Sequence, residues 1–514
     1  MTNNNNTVGW ATTTVGEVAT LIRGITYKKD QTSKIPQQNL KPILRATNIN
    51  GVLNYEDLVF IPENLISSEQ FIKAGDIIFA MSSGSKHLVG KSARSRFDYD
   101  GSYGAFCSLL RPCESVCKDF LYYVFQNNKF RRLISEVAKG SNINNLKREH
   151  INDFEIQLPP LAEQHRIVAK IEALFSELDK GIESFKTARE QLKIYRQALL
   201  KHAFSGKLTE QWRAENQDKL ESAEALLQRI QTEREQHYQQ QLKDWETTGK
   251  QGSKPKAPKT LPPLTTEELA ELPELPEGWA WVRLGDVFSD NPKNGIYKPS
   301  DHYGSGISII RIDDFYDGLL CKKSGFKKVE LSVDEIKTFT AHIGDILINR
   351  VNSIEYLGKC CEVKGLAEPV VFESNIMKIT IFDNFASNFF VTSYLSSHSG
   401  RQRLCKNAKH AVNQASINQT DVSLTPIPLT QLNEKMIISE RLETYLSEID
   451  QLDQTLTTAL QQAEALRQSI LKKAFSGQLV PQDANDEPAS VLLERIQAEK
   501  AALVAPIKIR NNYA

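Results

Sequence analysis

Lys201-His-Ala-Phe-Ser-Gly206 and Lys472-Lys-Ala-Phe-Ser-Gly477 are one hexapeptide written twice with a single change, 271 residues apart. Working outward, Leu161 with Glu163 answers to Leu432 with Glu434 at the same shift. Nearer the N-terminus, Gly9-Trp10 recurs as Gly278-Trp279, Val15-Gly-Glu-Val18 as Leu284-Gly-Asp-Val287, and Gly75-Asp-Ile-Ile78 as Gly344-Asp-Ile-Leu347, all shifted by 269. Beyond each hexapeptide, Leu226-Leu-Gln-Arg-Ile-Gln231 matches Leu492-Leu-Glu-Arg-Ile-Gln497. Self-similarity at one long period marks a tandem duplication. Between landmarks the copies diverge: Ser82-Ser-Gly-Ser-Lys-His87 stands where the second copy has Val351-Asn-Ser-Ile-Glu-Tyr356. The pattern is a shared scaffold carrying two different surfaces.

Upstream of each hexapeptide the apolar residues fall on heptads. From Glu163 to His202, one seam holds Ile171, Leu178, Phe185, Leu192 and Leu199, and the other Ile167, Leu174, Ala188 and Tyr195. From Glu434 to Lys473 the seams are Leu442, Ile449, Leu456, Ala463 and Ile470, then Ile438, Tyr445, Leu452, Ala459 and Leu466. A period of 3.5 held this long predicts a coiled-coil seam. Each helix should be roughly 60 Å long at ~1.5 Å per residue. Ser205-Gly206 and Ser476-Gly477 end them, glycine accepting the left-handed conformation that closes a helix. The two seams bury most simply against each other. The connecting stretch of about 70 residues permits either direction; antiparallel pairing, relating the halves by a pseudo-twofold axis, is the expectation.

The segments are 1–158, a mixed α/β domain with strands such as Asp76-Ile-Ile-Phe-Ala80 and a helix near Asp119 to Ala138; 159–206, a long helix opened by Pro159-Pro160; and 207–277, a linker. The linker has a helical stretch near Ala223 to Lys243 and a Lys/Pro-rich tether at 249–259. A second mixed domain at 278–431, a second long helix at 432–477, and a tail at 478–514, helical around Leu492 to Leu503, complete the chain. The fold class is α+β and multidomain.

At 514 residues the chain holds about three domains' worth of structure. It carries 63 Lys plus Arg against 63 Asp plus Glu, so no whole-protein basic excess marks it as a nucleic-acid binder and any such binding must be local. No apolar run approaches the ~20 residues of a spanning helix, and Met1-Thr-Asn-Asn-Asn-Asn-Thr7 lacks the apolar stretch of a signal peptide. A cytoplasmic protein without a membrane partner is expected. The seven cysteines show neither a disulfide framework nor zinc-ligand spacing and are expected to be small buried thiols.

Dinucleotide and phosphate-loop glycine motifs, a nucleophile elbow and the Pro-Pro-aromatic box of DNA amino-methyltransferases are all missing. One loose pattern, Asp345 with Glu362-Val-Lys364, has the spacing of a magnesium-dependent nuclease site; the blander reading is a strand-start Asp beside a solvated charge cluster. Residues 1–158 hold 19 basic against 15 acidic side chains, and 278–431 hold 17 against 16. Neither domain is basic, but basic side chains recur at matching places: Arg45 and Arg311, Lys91 and Lys359, Arg132 and Arg403. Arginine suits bidentate contacts to phosphate or guanine, although a solvated or salt-bridged surface explains most single cases. Asn142 and Asn413 also match. With Lys86 and Asn352 from the divergent loops, these ten are the DNA-contact candidates, and no catalytic or metal-ligating residue is assigned.

The order of these elements resembles the specificity subunit of type I restriction-modification enzymes. The resemblance rests on Ile156-Gln-Leu-Pro-Pro-Leu-Ala-Glu-Gln164 through Ala203-Phe-Ser-Gly-Lys-Leu208, repeated to Ala474-Phe-Ser-Gly-Gln-Leu479, and it covers nearly the whole chain. The second copy departs at Leu432-Asn-Glu-Lys435, where Glu-Gln becomes Glu-Lys and no Pro-Pro precedes it. The resemblance implies a non-catalytic subunit with two target recognition domains, each reading half of an asymmetric bipartite site in double-stranded DNA. It implies that the paired helices fix the spacer and dock two modification (methyltransferase) subunits, and that restriction and translocase subunits join them. S-adenosylmethionine, ATP and magnesium are then expected on the partners and no cofactor on this chain. A duplicated coiled-coil scaffold that binds proteins is the competing class; salt-sensitive DNA affinity separates the two.

Overall fold

The computed structural model describes residues 7, 9–82, 89–138, 145–250, 254–255, 257, 260–316, 318–321, 325–382, 387–412 and 414–504. They form two compact units, one of 1–186 with 457–514, the other of 187–456. The unit boundaries fall inside both long helices, Leu161–Phe204 and Leu432–Ala474.

In the first unit a four-stranded antiparallel sheet runs in the order Ala19–Arg23, Cys107–Pro112, Ile77–Ala80, Ser92–Arg94. A second sheet has Leu40–Leu44 between Val59–Pro62 and Ser102–Tyr103. Ala11–Thr14 pairs with Glu155–Leu158 and so brings the two ends of the domain together at the start of the long helix. The stretch expected as one helix is two, Lys118–Gln126 and Asn128–Ala138. Asn127 breaks it: its backbone is extended, and its side-chain oxygen accepts from the Lys129 N–H at 3.0 Å to restart the next turn.

The second unit repeats this plan. Its four-stranded sheet runs Lys293–Asn294, Ile376–Ile379, Ile346–Asn349, Cys360–Glu362. Tyr303–Ile310 lies between Lys327–Val329 and Val370–Phe372, and Ala280–Arg283 pairs with Pro426–Leu429. The repeated Gly-Asp landmark is the turn into each central strand. Gly75 and Gly344 have φ of +89° and +95°, which glycine alone adopts cheaply. Asp76 then accepts from the Lys73 N–H at 2.7 Å and Asp345 from the His342 N–H at 2.8 Å.

Within the second unit the long helices are antiparallel: Arg189 pairs with Asp453 and Arg196 with Asp450, both at 2.7 Å, one residue number rising as the other falls. In the first unit Ile171 and Phe175 share a core with Ile470, Leu471 and Ala474, and Arg467 pairs with Asp179. Gly206 and Gly477 take the expected left-handed conformation at φ +73° and +71°. The seams need correction. Ile171, Leu199, Leu442, Ile449, Ala463 and Ile470 of the first seam are buried, with Leu178, Phe185, Leu192 and Leu456 half-buried. On the second, Ile167 and Ile438 are buried, but Tyr195, Tyr445, Leu452 and Leu466 are exposed. Two helices cover one stripe of each other, and the rest of a second stripe is covered only where a domain packs on it.

The stretches set apart as linker and tail belong to cores. Helix Ala223–Thr247, capped by Ser222, puts Leu226 and Ile230 into the second unit's core beside Trp279, Leu284 and Val287. Helix Ala489–Val504 puts Leu492 and Ile496 into the first unit's core beside Val15 and Val18. The repeated Leu-Leu-x-Arg-Ile-Gln thus does the same packing in each unit, and the copy that follows the first half completes the second. The Lys/Pro-rich tether lies partly outside the described residues.

Candidate nucleic-acid interface

At the base of each domain a tryptophan ties the first strand to the start of a long helix. Trp10 Nε1 donates to Glu163 at 2.9 Å, and Trp279 Nε1 donates to Glu434 at 2.9 Å. The matched landmarks are therefore one repeated contact, but the two copies complete it differently. Glu434 also accepts from Thr430 at 2.7 Å, from Thr209 at 2.6 Å and from the Arg213 guanidinium. Glu163 has one carboxylate oxygen buried without a hydrogen bond, and burial pushes its carboxyl above the ordinary range, the Trp10 hydrogen bond opposing. One residue on, Gln164 accepts from the Cys117 N–H and donates to Pro159 O, whereas its counterpart Lys435 is buried with no hydrogen-bond partner for Nζ. Burial, with Arg229 nearby, lowers the Lys435 ammonium to about 7.

Arg45 ends strand Leu40–Leu44, its N–H donating to Asn48 Oδ1 at 2.9 Å, and Arg311 repeats this with Asp314 Oδ2 at 2.9 Å. Each guanidinium meets an acid of its own domain: Arg45 pairs with Asp57 at 2.8 Å and Arg311 with Glu373 at 3.4 Å. Lys91 donates to Asn50 at 2.7 Å. Lys359 donates to Ile312 O at 2.9 Å and lies 3.7 Å from the Tyr316 ring centroid, with Phe315 and Tyr356 further off. Arg403 stacks over Trp281 and donates to the Tyr394 hydroxyl at 3.1 Å. Asn352 accepts from the Ser353 N–H and pairs in a strand with Ala415. Arg132 is exposed on helix Asn128–Ala138, beside an open cleft of about 1090 Å³ that Lys129, His150 and Lys472 also line. Lys86, Asn142 and Asn413 lie outside the described residues. Most of the described candidates thus have a partner within their own domain.

Two features were missed from sequence. In the first unit a cleft of about 890 Å³ is lined by Arg96, Arg131, Phe97, Tyr55 and Tyr122. The Tyr55, Phe97 and Tyr99 rings cluster with centroids 4.8 to 6.4 Å apart. The interleaving in Arg94-Ser-Arg96-Phe97-Asp-Tyr99 was the available signal. In the second unit, Lys409–Ala411 and Gln414–Ser416 form a hairpin next to Val351–Asn352. Its signal was weak, because four-residue alternation around small side chains is not distinctive.

The suspected metal pattern has a structural explanation. Asp345 is buried, pairs with Lys378 at 3.0 Å and accepts from Thr380 at 2.7 Å, while Glu362 pairs with Lys364 at 3.2 Å. Among the described residues no three His, Cys, Asp or Glu side chains converge as metal ligands. All seven cysteines are free. Cys107, Cys117, Cys360 and Cys361 are buried as expected, burial pushing the Cys107 and Cys360 thiols up to about 12, whereas Cys321 is exposed. No helix among the described residues is long and apolar enough to cross a membrane.

One domain plan used twice, with different sequences between the shared landmarks and a long helix leaving each copy, defines a two-domain recognition protein. The chain belongs to the type I restriction-modification specificity subunit family, whose role is DNA sequence specificity: the family's "Type I restriction modification DNA specificity domain" matches residues 7–184 and again 276–462. It is similar to the type I restriction enzyme StySPI specificity subunit of Salmonella potsdam, 31% identical over 503 residues and 96% of each chain. It is similar also to the EcoKI specificity subunit of Escherichia coli K12, 30% identical over 505 residues and again 96% of each. Among solved structures, a chain reported for the assembly and conformational transition of the type I R-M system matches with a TM-score of 0.62. That match is at 19% identity over 92% of this chain and 98% of the other, a likeness of fold.

Proposed function

We propose that this chain is the non-catalytic recognition component of a type I restriction-modification complex, in which each unit reads one half of an asymmetric split site in double-stranded DNA. The observation that carries this is one topology built twice with divergent loops, since two unlike half-sites need two unlike readers on a common frame. In this reading, side chains to phosphate position each domain and side chains to base edges specify. Two modification subunits bring S-adenosylmethionine and methylate adenine, and restriction subunits bring ATP and magnesium. The place of action is the cytoplasm. The exposed apolar side chains of Tyr195, Tyr445 and Leu452 in the second unit, and of Leu466 in the first, support docking of those partners on the helices.

A methylome tests the reading. In a host without adenine methylation, the partner methyltransferase is expressed with and without this chain, and modified bases are mapped. Methylation at one split asymmetric motif, only when the chain is present, is the expected result. A soluble, associated pair that leaves no new mark defeats the proposal.

The helices serve as the ruler in this scheme. Removing one heptad from the middle of each shortens it by about 10 Å, or about three base pairs of duplex. Binding to the native spacer weakens and a selection over random spacers recovers a shorter one, with both half-site preferences intact. An unchanged spacer preference refutes the ruler.

A further inference from the structure

The hairpin Lys409–Ser416 is anchored at one end and bare at the other. Ala415 and Ile417 are buried in the unit's core, the Ile417 N–H donates to Arg350 O at 3.0 Å, and Ser416 pairs with Val351. Beyond that base the ribbon leaves the domain. Lys409, His410, Ala411 and Gln414 are all exposed, and Val412 at the tip is 93% exposed. The outer edge of Lys409–Ala411 pairs with no further strand among the described residues. A β-branched apolar side chain gains nothing from that exposure, and a projecting open edge is a liability unless another surface meets it.

The register says which side chains share a face. Residues directly opposite in an antiparallel pair point the same way, as do residues two apart along a strand. Lys409 faces Ser416 and Ala411 faces Gln414, so these four form one face, while His410 and the buried Ala415 belong to the other. The outward face therefore presents one cation and one amide, with the small Ala411 and the half-buried Ser416 beside them and an aliphatic group at the tip. Two strands about 4.8 Å apart fit the major groove of B-form DNA, which is about 12 Å wide and admits a two-stranded ribbon. An amide can bond an adenine edge bidentately, an aliphatic group can meet a thymine methyl, and an ammonium suits phosphate.

We infer that the ribbon Lys409–Ser416 is the major-groove reading element of the second unit, with Gln414 contacting a base edge, Val412 contacting a base at the tip and Lys409 contacting backbone phosphate. The inference rests on the DNA-reading function proposed above. It assigns the reading to residues outside the matched basic positions, several of which are held by their own domains. The first unit has a bridge between Ser82 and Asn145 at the corresponding positions. Apart from Asn413, which matches Asn142, the ribbon's sequence is its own, as the reader of a different half-site requires.

The test uses the full chain assembled with its partner subunits and a library of DNA duplexes randomised across the recognised site. Bound duplexes are sequenced for the wild type and for Gln414→Ala, Val412→Ser and Lys409→Ala. Gln414→Ala should relax preference at one base pair by roughly ten- to a hundredfold, in one half-site alone. Val412→Ser should relax a neighbouring position of the same half. Lys409→Ala should lower affinity without changing either half-site and should make the salt dependence shallower by about one phosphate contact. The half-site read by the other unit reports in every experiment that the protein is folded. If the Gln414 and Val412 variants select the wild-type sequence in both halves, the ribbon does not read and the inference is overturned while the DNA-reading function stands. If the wild type itself selects no sequence, the function fails and the inference with it.

Discussion

Glu434→Gln lowers the melting temperature by roughly 10 °C, and the same change at Glu163 moves it by no more than a degree or two. The two residues occupy matched positions and bind matched tryptophans, so the contrast comes from what surrounds them. The Glu434 side chain is 1% exposed and the Arg213 side chain 13% exposed, and the carboxylate also holds Trp279, Thr209 and Thr430. Neutralising it strands a largely desolvated guanidinium, and breaking a buried pair from one side costs about 3 to 5 kcal/mol. In a unit of this size each kcal/mol moves the midpoint by about 2 to 4 °C. Among the described residues Glu163 has Trp10 but no guanidinium in hydrogen-bonding range, and burial already disfavours its charge. An amide there loses no ion pair. Thermal denaturation of the two variants decides it; equal shifts would show that the Arg213 contact contributes nothing.

Lys435→Gln stabilises the protein by several kcal/mol at pH 6. Lys435 is 1% exposed and Nζ has no hydrogen bond, whereas Gln164 in the first copy satisfies both ends of its amide. Burial is the main cause of its lowered pKa; Arg229 adds to it, while Glu221 and Glu233 oppose. A fall from 10.5 to about 7 corresponds to roughly 5 kcal/mol at about 1.36 kcal/mol per unit. The folded pKa lies below the unfolded one, so between about pH 7 and 10.5 the unfolded chain binds a proton that the folded chain does not. Wild-type stability therefore rises with pH through that window, and below it the cost is present in full. In Lys435→Gln this contribution to the slope disappears, so the advantage over wild type is largest at pH 6 and shrinks by pH 9. Denaturant titrations at those two pH values measure it, and an advantage independent of pH would rule out charge burial as the cause.

The long helices were legible because a 3.5-residue period repeated over about five heptads averages out any single misleading residue. Their ends were legible because Gly206 and Gly477 need the left-handed conformation. The candidate contacts were less so. Arg45 and Arg311 recur for a local reason, a turn capped three residues on by Asn48 and Asp314. Repetition within one chain marks shared scaffold as readily as shared function. What reads DNA should instead differ between the copies, and Gln414, which stands where the first copy has Ile143, has that property.

By itself the sequence determined the duplication, the two mixed domains, the helix pair and, through the order of its motifs, the family. These are properties of periodicity and spacing, which local geometry converts directly into structure. Tertiary structure alone decided which stripe of each helix is covered, that the repeated Leu-Leu-x-Arg-Ile-Gln helix after the first half completes the second unit, and that Glu163 and Glu434 live in unlike surroundings. Burial and hydrogen bonding are made by residues up to several hundred positions apart, as Lys500 donating to Gly16 O shows, and no local pattern encodes such a partner.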